Sequence, residues 1–442
     1  MQKEHTLNRL DTESVGKSFV RYLIPSMVGM LLMAINIVAD GIMVGNRLGP
    51  TALAGVGIAA PVYTLFVAMS LWIGVGAATR YSAAMGAKRP DEARVIFSHA
   101  IISIAIFTVV IGIAAYFFKT QLAYLLGANA ETFPYVMEYM NVLLLFGFIF
   151  TIENTLSILV RNDGGPNLSM IALVMSAVVN IGLNYVFLFV LDLGVTGAAV
   201  ATIIGAFVGL VILSTHFFRK KSNLRFARFA FNRKLFLLII IIGFPSFLAE
   251  IGISVFTISH NVTFEHMAGT AGVSAFTILN YVHSVMLLLF LGMGSAIQPL
   301  ISYYSGAKDE AKMKKTVRLA IGTALAAGIF FFLVGLFASG PIVSLFGDFP
   351  EEVMVLAIPG IKLFFIAYIF MGTNFVMMTY YQSIGQIRMA TWITASREIV
   401  ILLILLAIMP RLFGLTGVWL AIPVSELIVL LTIFYYHRKW NS

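Results

Sequence analysis

The stretch of sequence that decides the fold is residues 22–44, which read YLIPSMVGMLLMAINIVADGIMV. It is long enough to cross a bilayer, since a membrane helix needs about 20 consecutive apolar residues. It also contains one carboxylic acid, Asp40. An ionisable side chain at this depth costs roughly 2.5–3.5 kcal/mol on insertion scales, so such residues usually serve a function. The alternative is a carboxyl group that neighbouring hydroxyls or amides satisfy for structural reasons alone.

The rest of the chain has the same apolar character. Hydrophobic residues make up 60% of the 442 residues, and charged residues only 11%. Strand-type alternation is absent, and only helices or closed barrels satisfy the backbone inside a membrane, so the sequence predicts an all-α polytopic membrane protein. The twelve predicted spans are residues 17–44, 52–77, 93–118, 133–159, 167–191, 195–218, 235–259, 272–303, 316–338, 353–380, 389–410 and 415–437.

The net charge of +9 does not indicate a nucleic-acid-binding protein, because the basic residues cluster in alternate loops. These loops lie near residues 88–94, 219–234 and 308–318, and both termini are basic as well. By the positive-inside rule, the termini and the central loop are predicted to be cytoplasmic. The chain has no cysteine, which excludes disulfides and thiolate metal sites. We expect the first helix to be retained, because it lacks the short apolar region of a cleavable signal peptide.

The two halves of the chain align at an offset of 220 residues. Pro25-Ser26 recurs as Pro245-Ser246, and Gly86-Ala87-Lys88 recurs as Gly306-Ala307-Lys308. Six helices per repeat is an even number, so both copies start on the same side of the membrane, as parallel repeats of secondary transporters do. The predicted organisation is an amino-terminal six-helix lobe at 1–218, a basic cytoplasmic linker at 219–234 and a carboxy-terminal six-helix lobe at 235–442.

The linker alternates apolar and basic residues between Leu224 and Phe231. This alternation allows a short helix at the membrane interface. Membrane topology explains the basic charge, and we favour this explanation over a binding role for the linker.

Polar residues found in only one half lie at the predicted depth of Asp40. Asp40 is about four residues from the outer end of its helix, roughly 6 Å at the helical rise. On the fifth helix Ser176, Asn180 and Asn184 recur every four residues and share one face, and Thr202 of the sixth helix has a similar depth. Their counterparts in the second half are His260, Ser396, Val400, Ile404 and Ile422. A carboxyl with two amides and a hydroxyl in one lobe predicts a cation or proton site; helix–helix packing is the alternative.

Three more residues of the first helix belong to the candidate site. Asn36 and Met33 precede Asp40 on the same helix, and a soft methionine side chain suits varied apolar ligands. Pro25 lies well inside the helix, where a proline favours a kink, so it is predicted to be a hinge or a static bend. A buried carboxyl such as Asp40 can hold either a proton or a cation, and this competition is what an antiporter requires.

Other ionisable residues lie within predicted spans or directly next to one, mostly in the second half. They are Glu250, His260, Lys362, Arg397, Glu398 and Glu426. Arg397 and Glu398 are adjacent, so we expect them to point in different directions and not to pair with each other. Pairing across helices, for instance with Lys362 or Glu426, is the structural interpretation, and a second polar site is the functional one.

Residues 38–57, VADGIMVGNRLGPTALAGVG, resemble the first-helix signature of the MATE multidrug and toxic compound extrusion family, and Gly86-Ala87-Lys88 with its copy at Gly306 also fits. The resemblance covers essentially the whole chain and is strongest to the DinF-like bacterial branch. It implies twelve helices in two lobes, and a coupling carboxylate that carries over to Asp40. Some relatives have a carboxylate where this chain has Asn184, and sodium-coupled members use an acid in the tenth helix, where this chain has Asn374.

The resemblance predicts an antiporter of the bacterial inner membrane that exports cationic amphipathic drugs and dyes. We expect protons to drive it, with Na⁺ as the alternative coupling ion, and we expect a monomer surrounded by lipid with no other cofactor and no nucleic-acid partner. A flippase of a lipid-linked precursor is the nearest rival, although it should line its cavity with basic residues. The chain has no GxxxxGK[ST] loop and no HExxH motif, so an ATP-driven pump or an intramembrane enzyme is disfavoured.

Overall fold

The computed structural model describes residues 9–219, 222–228, 230–346 and 349–441, with side chains up to residue 436. These residues form helices and connecting loops, with no β-strand among them. Backbone contacts divide the chain into two compact units, and each is described by itself. The units are Met1–Phe247 with Ser302–Asp309, and Leu248–Ile301 with Glu310–Ser442.

Among its described residues, the first unit contains six helices long and apolar enough to cross a membrane, together with two short helices. Its helices are α1 (Arg9–Thr12), α2 (Val15–Leu48), α3 (Pro50–Gly86), α4 (Pro90–Phe117), α5 (Lys119–Leu125), α6 (Phe133–Asn162), α7 (Pro166–Tyr185) and α8 (Gly194–Ser214). The short helix α5 was not predicted. Proline at the first turn of α3, α4, α6 and α7 suits a position where the backbone N–H has no helical acceptor.

A single helix of 74 residues, α9 (Arg233–Gly306), contains two of the predicted spans. It breaks at Gly269, whose φ of 56° and ψ of −150° are non-helical. The equivalent residue in the first repeat is Gly49, with a φ of 84°, which separates α2 from α3. Positive φ is readily adopted only by glycine. The same residue type therefore makes the turn between the first two spans of each repeat.

The remaining helices belong to the second unit. They are α10 (Glu310–Ser344), α11 (Glu351–Phe364), α12 (Ala367–Ser383), α13 (Ile387–Ala395), α14 (Ile401–Phe413) and α15 (Leu415–Asn441). A bend of 46° separates α11 from α12, and a π-helical turn joins α13 to α14. Counting α9 as two spans and each of these pairs as one, the described residues contain twelve membrane-spanning segments. The predicted all-α, twelve-helix fold is confirmed.

Local geometry repeats along with the sequence. Lys88 and Lys308 follow equivalent helix ends and have φ values of 61° and 57°. Gly194 and Gly414 likewise have φ values of 62° and 60°. An L-residue such as lysine seldom adopts this left-handed conformation, so its recurrence at Lys88 and Lys308 shows that the two halves share backbone structure as well as sequence.

Two boundaries between the units lie inside α9, because glycines bring the two ends of this helix against α3. A β-carbon on Gly243 would stand 1.7 Å from the carbonyl oxygen of Trp72, and one on Gly306 would stand 1.9 Å from that of Ala83. The indole of Trp72 also donates to the carbonyl oxygen of Ile240 at 2.8 Å. The predicted lobe boundaries at 218 and 235 stay a prediction.

The predicted interfacial helix in the linker is wrong for the residues that the structure describes. Residues 222–228 and 230–232 are non-helical, because side chains of the first unit accept hydrogen bonds from their backbone. The backbone N–H groups of Asn223, Ala227 and Asn232 donate to Asp163, Ser98 and His99 at 2.8–3.0 Å. Leu224 is fully buried, so the alternating pattern reflects an extended segment packed on the protein. Lys220, Lys221 and Phe229 lie outside the described residues.

Candidate functional site

Asp40 lies in the last third of α2, where this helix packs against α7 and α8 of the first unit. On α7, Asn180 and Asn184 are one helical turn apart and are buried, at 3% and 0% exposure. Residues four apart in a helix face the same side, so both amides are presented to one neighbour. That neighbour is Asp40.

The carboxylate of Asp40 accepts hydrogen bonds from both asparagines. Asn184 Nδ2 donates to Asp40 Oδ1 at 2.6 Å. Asn180 fits its surroundings with its amide nitrogen toward Asp40, 2.8 Å from Oδ1 and 3.2 Å from Oδ2. In this orientation the Asn180 nitrogen also donates to Asn36 Oδ1 at 2.9 Å, and its oxygen accepts from Thr202 Oγ1 at 3.2 Å. Since a carboxylate can only accept, it requires amide nitrogens and not amide oxygens to face it.

The structure therefore brings together Asp40, Asn36, Asn180, Asn184 and Thr202. It does not bring all predicted residues to the carboxylate. Among the described contacts, no hydrogen bond joins Ser176 to this cluster.

Met33 lies seven residues before Asp40, half-buried on α2. Pro25 lies inside α2, which continues as one helix from Val15 to Leu48. The hinge role of Pro25 and the binding role of Met33 stay predictions.

Tyr139 of α6 also faces this cluster and was missed in the sequence. Its phenol interacts with the Thr202 hydroxyl and lies close enough to Asp40 for an electrostatic interaction. A tyrosine in an apolar helix does not by itself indicate a functional site. Most buried tyrosines pack against apolar neighbours and form a hydrogen bond through the hydroxyl with whatever partner is near. Only the three-dimensional arrangement identifies it.

An ion pair lies at the carboxyl end of α2, beyond Asp40. Arg47 Nη2 is 3.0 Å from Asp192 Oδ1, and Arg47 Nε donates to the carbonyl oxygen of Leu188 at 3.1 Å. Leu188 belongs to a π-helical turn, Val186–Val190, that directly follows α7. Such turns are rare and frequently occur at functional sites. Through these two interactions, Arg47 holds the end of α2 against the segment that follows Asn180 and Asn184.

The position equivalent to Asp40 in the second unit has a different environment. His260 is 1% exposed and stacks on Phe276, with ring centroids 5.1 Å apart and an interplanar angle of 9°. Phe256 and Phe264 are its other aromatic neighbours. The repeat is therefore preserved in the backbone, whereas the polar site of the first unit is replaced by an aromatic core.

The second unit has its own buried charges around Arg397, which lies in the π-helical turn Ser396–Val400. Arg397 Nη2 pairs with the Glu398 carboxylate, so the expectation that these adjacent residues do not pair is wrong. The predicted pairing across helices is confirmed, because Arg397 Nε is 3.2 Å from Glu426 Oε1, although not aligned as a hydrogen bond. Asn374 Nδ2 donates to Glu426 Oε2 at 2.6 Å.

Other contacts complete this charged cluster. The guanidinium of Arg397 lies 3.8 Å from the centre of the Phe375 ring, and Glu250 of α9 is close enough to Glu398 for their charges to interact. Lys362 is exposed. Within the described part of the chain, no three His, Asp or Glu side chains converge as metal ligands would. Arg397 therefore neutralises part of the acidic charge from inside the protein.

Comparison with known proteins shows which family the chain resembles. The MatE family model matches residues 25–186 and 245–408, one match in each repeat. The multidrug export protein MepA of Staphylococcus saprophyticus is 27% identical over 437 residues, which cover 96% of this chain and 94% of that protein. The structure of an outward-facing multidrug resistance MATE family transporter of the MOP superfamily superposes with a TM-score of 0.92 at 25% identity, over 99% of this chain and 98% of that one.

A second solved structure, of MATE in the bent conformation, superposes with a TM-score of 0.90 at 25% identity, over 98% of this chain and 96% of that chain. The specific assignment to a DinF-like branch stays a prediction. The two family matches together cover most of the chain, and they include α2 with Asp40 and α7 with both asparagines. The chain belongs to the MatE family of multidrug efflux transporters and is a transporter, not an enzyme.

Proposed function

We propose that this chain is a proton-coupled antiporter that exports lipophilic organic cations by alternating access. The observation that carries the proposal is the position of Asp40, whose carboxylate lies within a membrane-spanning helix and accepts from Asn180 and Asn184. No described basic side chain forms an ion pair with it. An intramembrane acid without a fixed counter-charge can take either a proton or a cationic ligand, but holding both at once is unfavourable.

The transport cycle follows from this competition. With the site open to the cytoplasm, deprotonated Asp40 binds the cationic group of a drug, while apolar side chains of the helices contact its lipophilic part. With the site open to the outside, a proton binds Asp40 and displaces the drug. The protonated site then returns to the cytoplasmic side and loses its proton. Amide groups of Asn180 and Asn184 remain hydrogen-bonded to the carboxyl in both states and keep it in position.

The orientation of the two amides favours protons over Na⁺ as the coupling ion. Na⁺ is bound by oxygen ligands, whereas both asparagines present nitrogen to the carboxylate. Asp40 is also the only carboxylate in this cluster. One monovalent drug exchanged for one proton moves no net charge, and each net charge moved would add about 2.3 kcal/mol per 100 mV of membrane potential.

The setting that we propose is the bacterial cytoplasmic membrane, with both termini and the linker at 219–234 on the cytoplasmic side. The basic loops support this orientation. The proposed substrates are cationic amphipathic drugs and dyes, and the proposed functional form is a monomer in lipid with no cofactor besides its coupling ion. A sodium-coupled drug antiporter is the second candidate, and it is separated from the first by the following experiment.

Purified protein in liposomes should accumulate a lipophilic cationic dye when only a proton gradient is imposed. An equal Na⁺ gradient at the same pH on both sides should produce no accumulation above protein-free liposomes. A voltage imposed with a K⁺ ionophore should change the rate little, because the proposed exchange moves no net charge. Dye uptake driven by Na⁺ alone would refute proton coupling in favour of the sodium alternative. Movement of a lipid-linked pyrophosphate instead of dye would favour a flippase.

Alanine in place of Asn184 is expected to change the pH profile of dye transport and to lower its maximal rate. The substitution removes the 2.6 Å hydrogen bond to Asp40 and leaves the carboxyl less well positioned. The expected loss is roughly 10-fold to 100-fold, since a hydrogen bond to a charged group contributes about 1.5–3 kcal/mol. Asn180→Ala should behave alike. Asn46→Ala, at an exposed position of the same helix as Asp40, is the matched control. Profiles that coincide with the control in both variants would reduce the asparagines to packing residues.

A further inference from the structure

A second buried carboxyl, Glu153, lies on α6 of the first unit outside the hydrogen-bonded cluster around Asp40. It is 2% exposed. Its Oε1 atom is buried and has no hydrogen-bond partner among the described residues. An intramembrane acid is a functional candidate in the same way as Asp40. The sequence pattern could have identified it, because Glu153 interrupts the apolar span predicted at 133–159.

The structure provides a fitted space for this carboxyl. A β-carbon on Gly209 of α8 would stand 2.7 Å from Glu153 Oε1 and 3.3 Å from its Cγ. Carbon and oxygen atoms do not approach so closely without displacement, so glycine is required for the carboxyl to lie there. Gly205, one turn earlier on α8, is in turn packed against Asn180, where an added β-carbon would stand 3.1 Å from the Asn180 Cβ.

The helices packed against α6 supply no counter-charge to Glu153, and the only basic residue on α6 itself, Arg161, lies eight positions away, roughly 12 Å along the helix. Between their described ends, α7 and α8 contain no Asp, Glu, Lys, Arg or His. The charged groups on the other helices packed against α6 have partners of their own. Those interactions are Arg80 with Glu92, Arg94 with Asp91, His99 with Val95 and Asn232, and Lys119 with Asn141. No described basic side chain therefore forms an ion pair with Glu153.

Glu153 lies between the Asp40 cluster and the cytoplasmic end of the unit in the proposed orientation. On α8, Thr202 and Gly209 are seven residues apart, roughly 10 Å along the helix. On α6, Glu153, Ser157 and Arg161 recur every four residues and face one side. The hydroxyls of Ser157 and Thr155 are buried without partners among the described residues. Polar groups thus continue from Thr202 through Glu153 toward the end of α6 at Asn162.

From these contacts we infer that Glu153 carries the coupling proton between Asp40 and the cytoplasmic face. This inference rests on the proposed proton coupling. When the substrate binds Asp40, the O–H bond of that carboxyl breaks and an O–H bond forms on Glu153, with an intervening hydroxyl or water because the separation exceeds one hydrogen bond. Glu153 then releases the same proton to the cytoplasm and returns to its carboxylate form. No other reactant is needed.

The test compares Glu153→Gln with wild type in liposomes, using a lipophilic cationic dye as the probe. Three quantities are measured: dye binding, dye–dye exchange at equal pH, and dye uptake driven by a proton gradient. A pH indicator trapped inside the liposomes reports the proton movement that accompanies uptake. We expect dye binding and dye–dye exchange to stay close to wild type. Gradient-driven dye uptake, and the proton transport that accompanies it, should fall roughly tenfold or more, a factor typical of coupling between two sites. Glu153→Asp, which keeps the titratable group, should restore part of this uptake.

Two controls separate a proton carrier from a structural residue. Glu138→Gln removes a carboxylate near the other end of α6 and should leave all three quantities unchanged. Gly209→Ala displaces the Glu153 carboxyl and should selectively lower gradient-driven uptake, whereas Gly182→Ala, with open space around the new β-carbon, should not. Infrared difference spectra between high and low pH should contain a carboxyl band that Glu153→Gln loses.

The outcomes distinguish this inference from the proposed function. If wild type responds to the proton gradient and Glu153→Gln matches it, Glu153 is a neutral packing residue and the inference is wrong. If binding and exchange fall along with gradient-driven uptake, and the infrared band is absent from wild type, its role is structural. If wild type itself ignores the proton gradient, proton coupling fails and the inference fails with it.

Discussion

Asn in place of Asp40 is expected to remove most of the proton-driven drug export while leaving the folded protein intact. Asparagine has nearly the shape of aspartate and can still accept from Asn184, but it cannot gain or lose a proton. Export measured as resistance of cells to a lipophilic cationic drug, and as gradient-driven dye uptake in liposomes, should fall roughly 5-fold to 150-fold, which corresponds to coupling free energies of about 1–3 kcal/mol. Melting temperature and expression should stay close to wild type.

Drug binding distinguishes coupling from a general loss of activity. The neutral asparagine should weaken binding of a cationic dye, whereas a neutral apolar dye should bind as before. Asp91→Asn is the matched control, since Asp91 is 92% exposed and paired with Arg94. Cells that carry Asp40→Asn and remain as drug-resistant as the Asp91→Asn cells would show that Asp40 is not the coupling residue.

The sequence predicted which polar residues of the first unit lie together, because helical periodicity controls which side chains can come into contact. Asn180 and Asn184 share a face of α7 by their spacing, and an apolar span that contains Asp40 leaves few partners for it. Comparing the two halves separated these residues from the scaffold, since the second half has His260 in an aromatic core at the matching position. The repeat thus supplied information that a single helix cannot contain.

Periodicity does not predict how side chains on different helices orient. It could not show that the amide nitrogen of Asn180 faces Asp40 while its oxygen accepts from Thr202, because this depends on how three helices pack. It also gave no reason to select Tyr139. The prediction of a helix in the linker was wrong for a different reason. The alternating pattern suits an extended segment as well as an interfacial helix. The side chains that accept hydrogen bonds from the linker backbone, Asp163, Ser98 and His99, are distant in sequence.

The pairing of Arg397 with Glu398 was mispredicted because a regular α-helix was assumed. Neighbouring residues in an α-helix point about 100° apart, which normally keeps their side chains separate. The turn from Ser396 to Val400 is π-helical, and long side chains can also bend toward each other in an apolar setting where no water competes. Irregular turns of this kind have no reliable sequence signal. They occur in both units, after α7 and between α13 and α14, next to the buried charged or polar residues.

Replacing Arg397 with methionine is expected to lower the free energy of unfolding by about 3–5 kcal/mol, the usual effect of removing one partner of a buried ion pair. Methionine fills much of the volume and can still contact Phe375, so the effect comes mainly from charge. Glu398 and Glu426 are 8% and 1% exposed, and each would lose its cationic neighbour. The measurement is thermal or denaturant unfolding in detergent, with Arg388→Met at an exposed position as the control.

A triple variant tests whether the unpaired acids cause this loss. Combining Arg397→Met with Glu398→Gln and Glu426→Gln removes all three charges, and it should recover most of the lost stability, because a neutral set in place of a buried ion pair is often tolerated. Asn374 can still donate to the glutamine that replaces Glu426. If Arg397→Met alone unfolds like Arg388→Met, the cluster is not an internal ion-pair network. If the triple variant is no more stable than the single one, the loss comes from packing around Arg397 and not from the charges of Glu398 and Glu426.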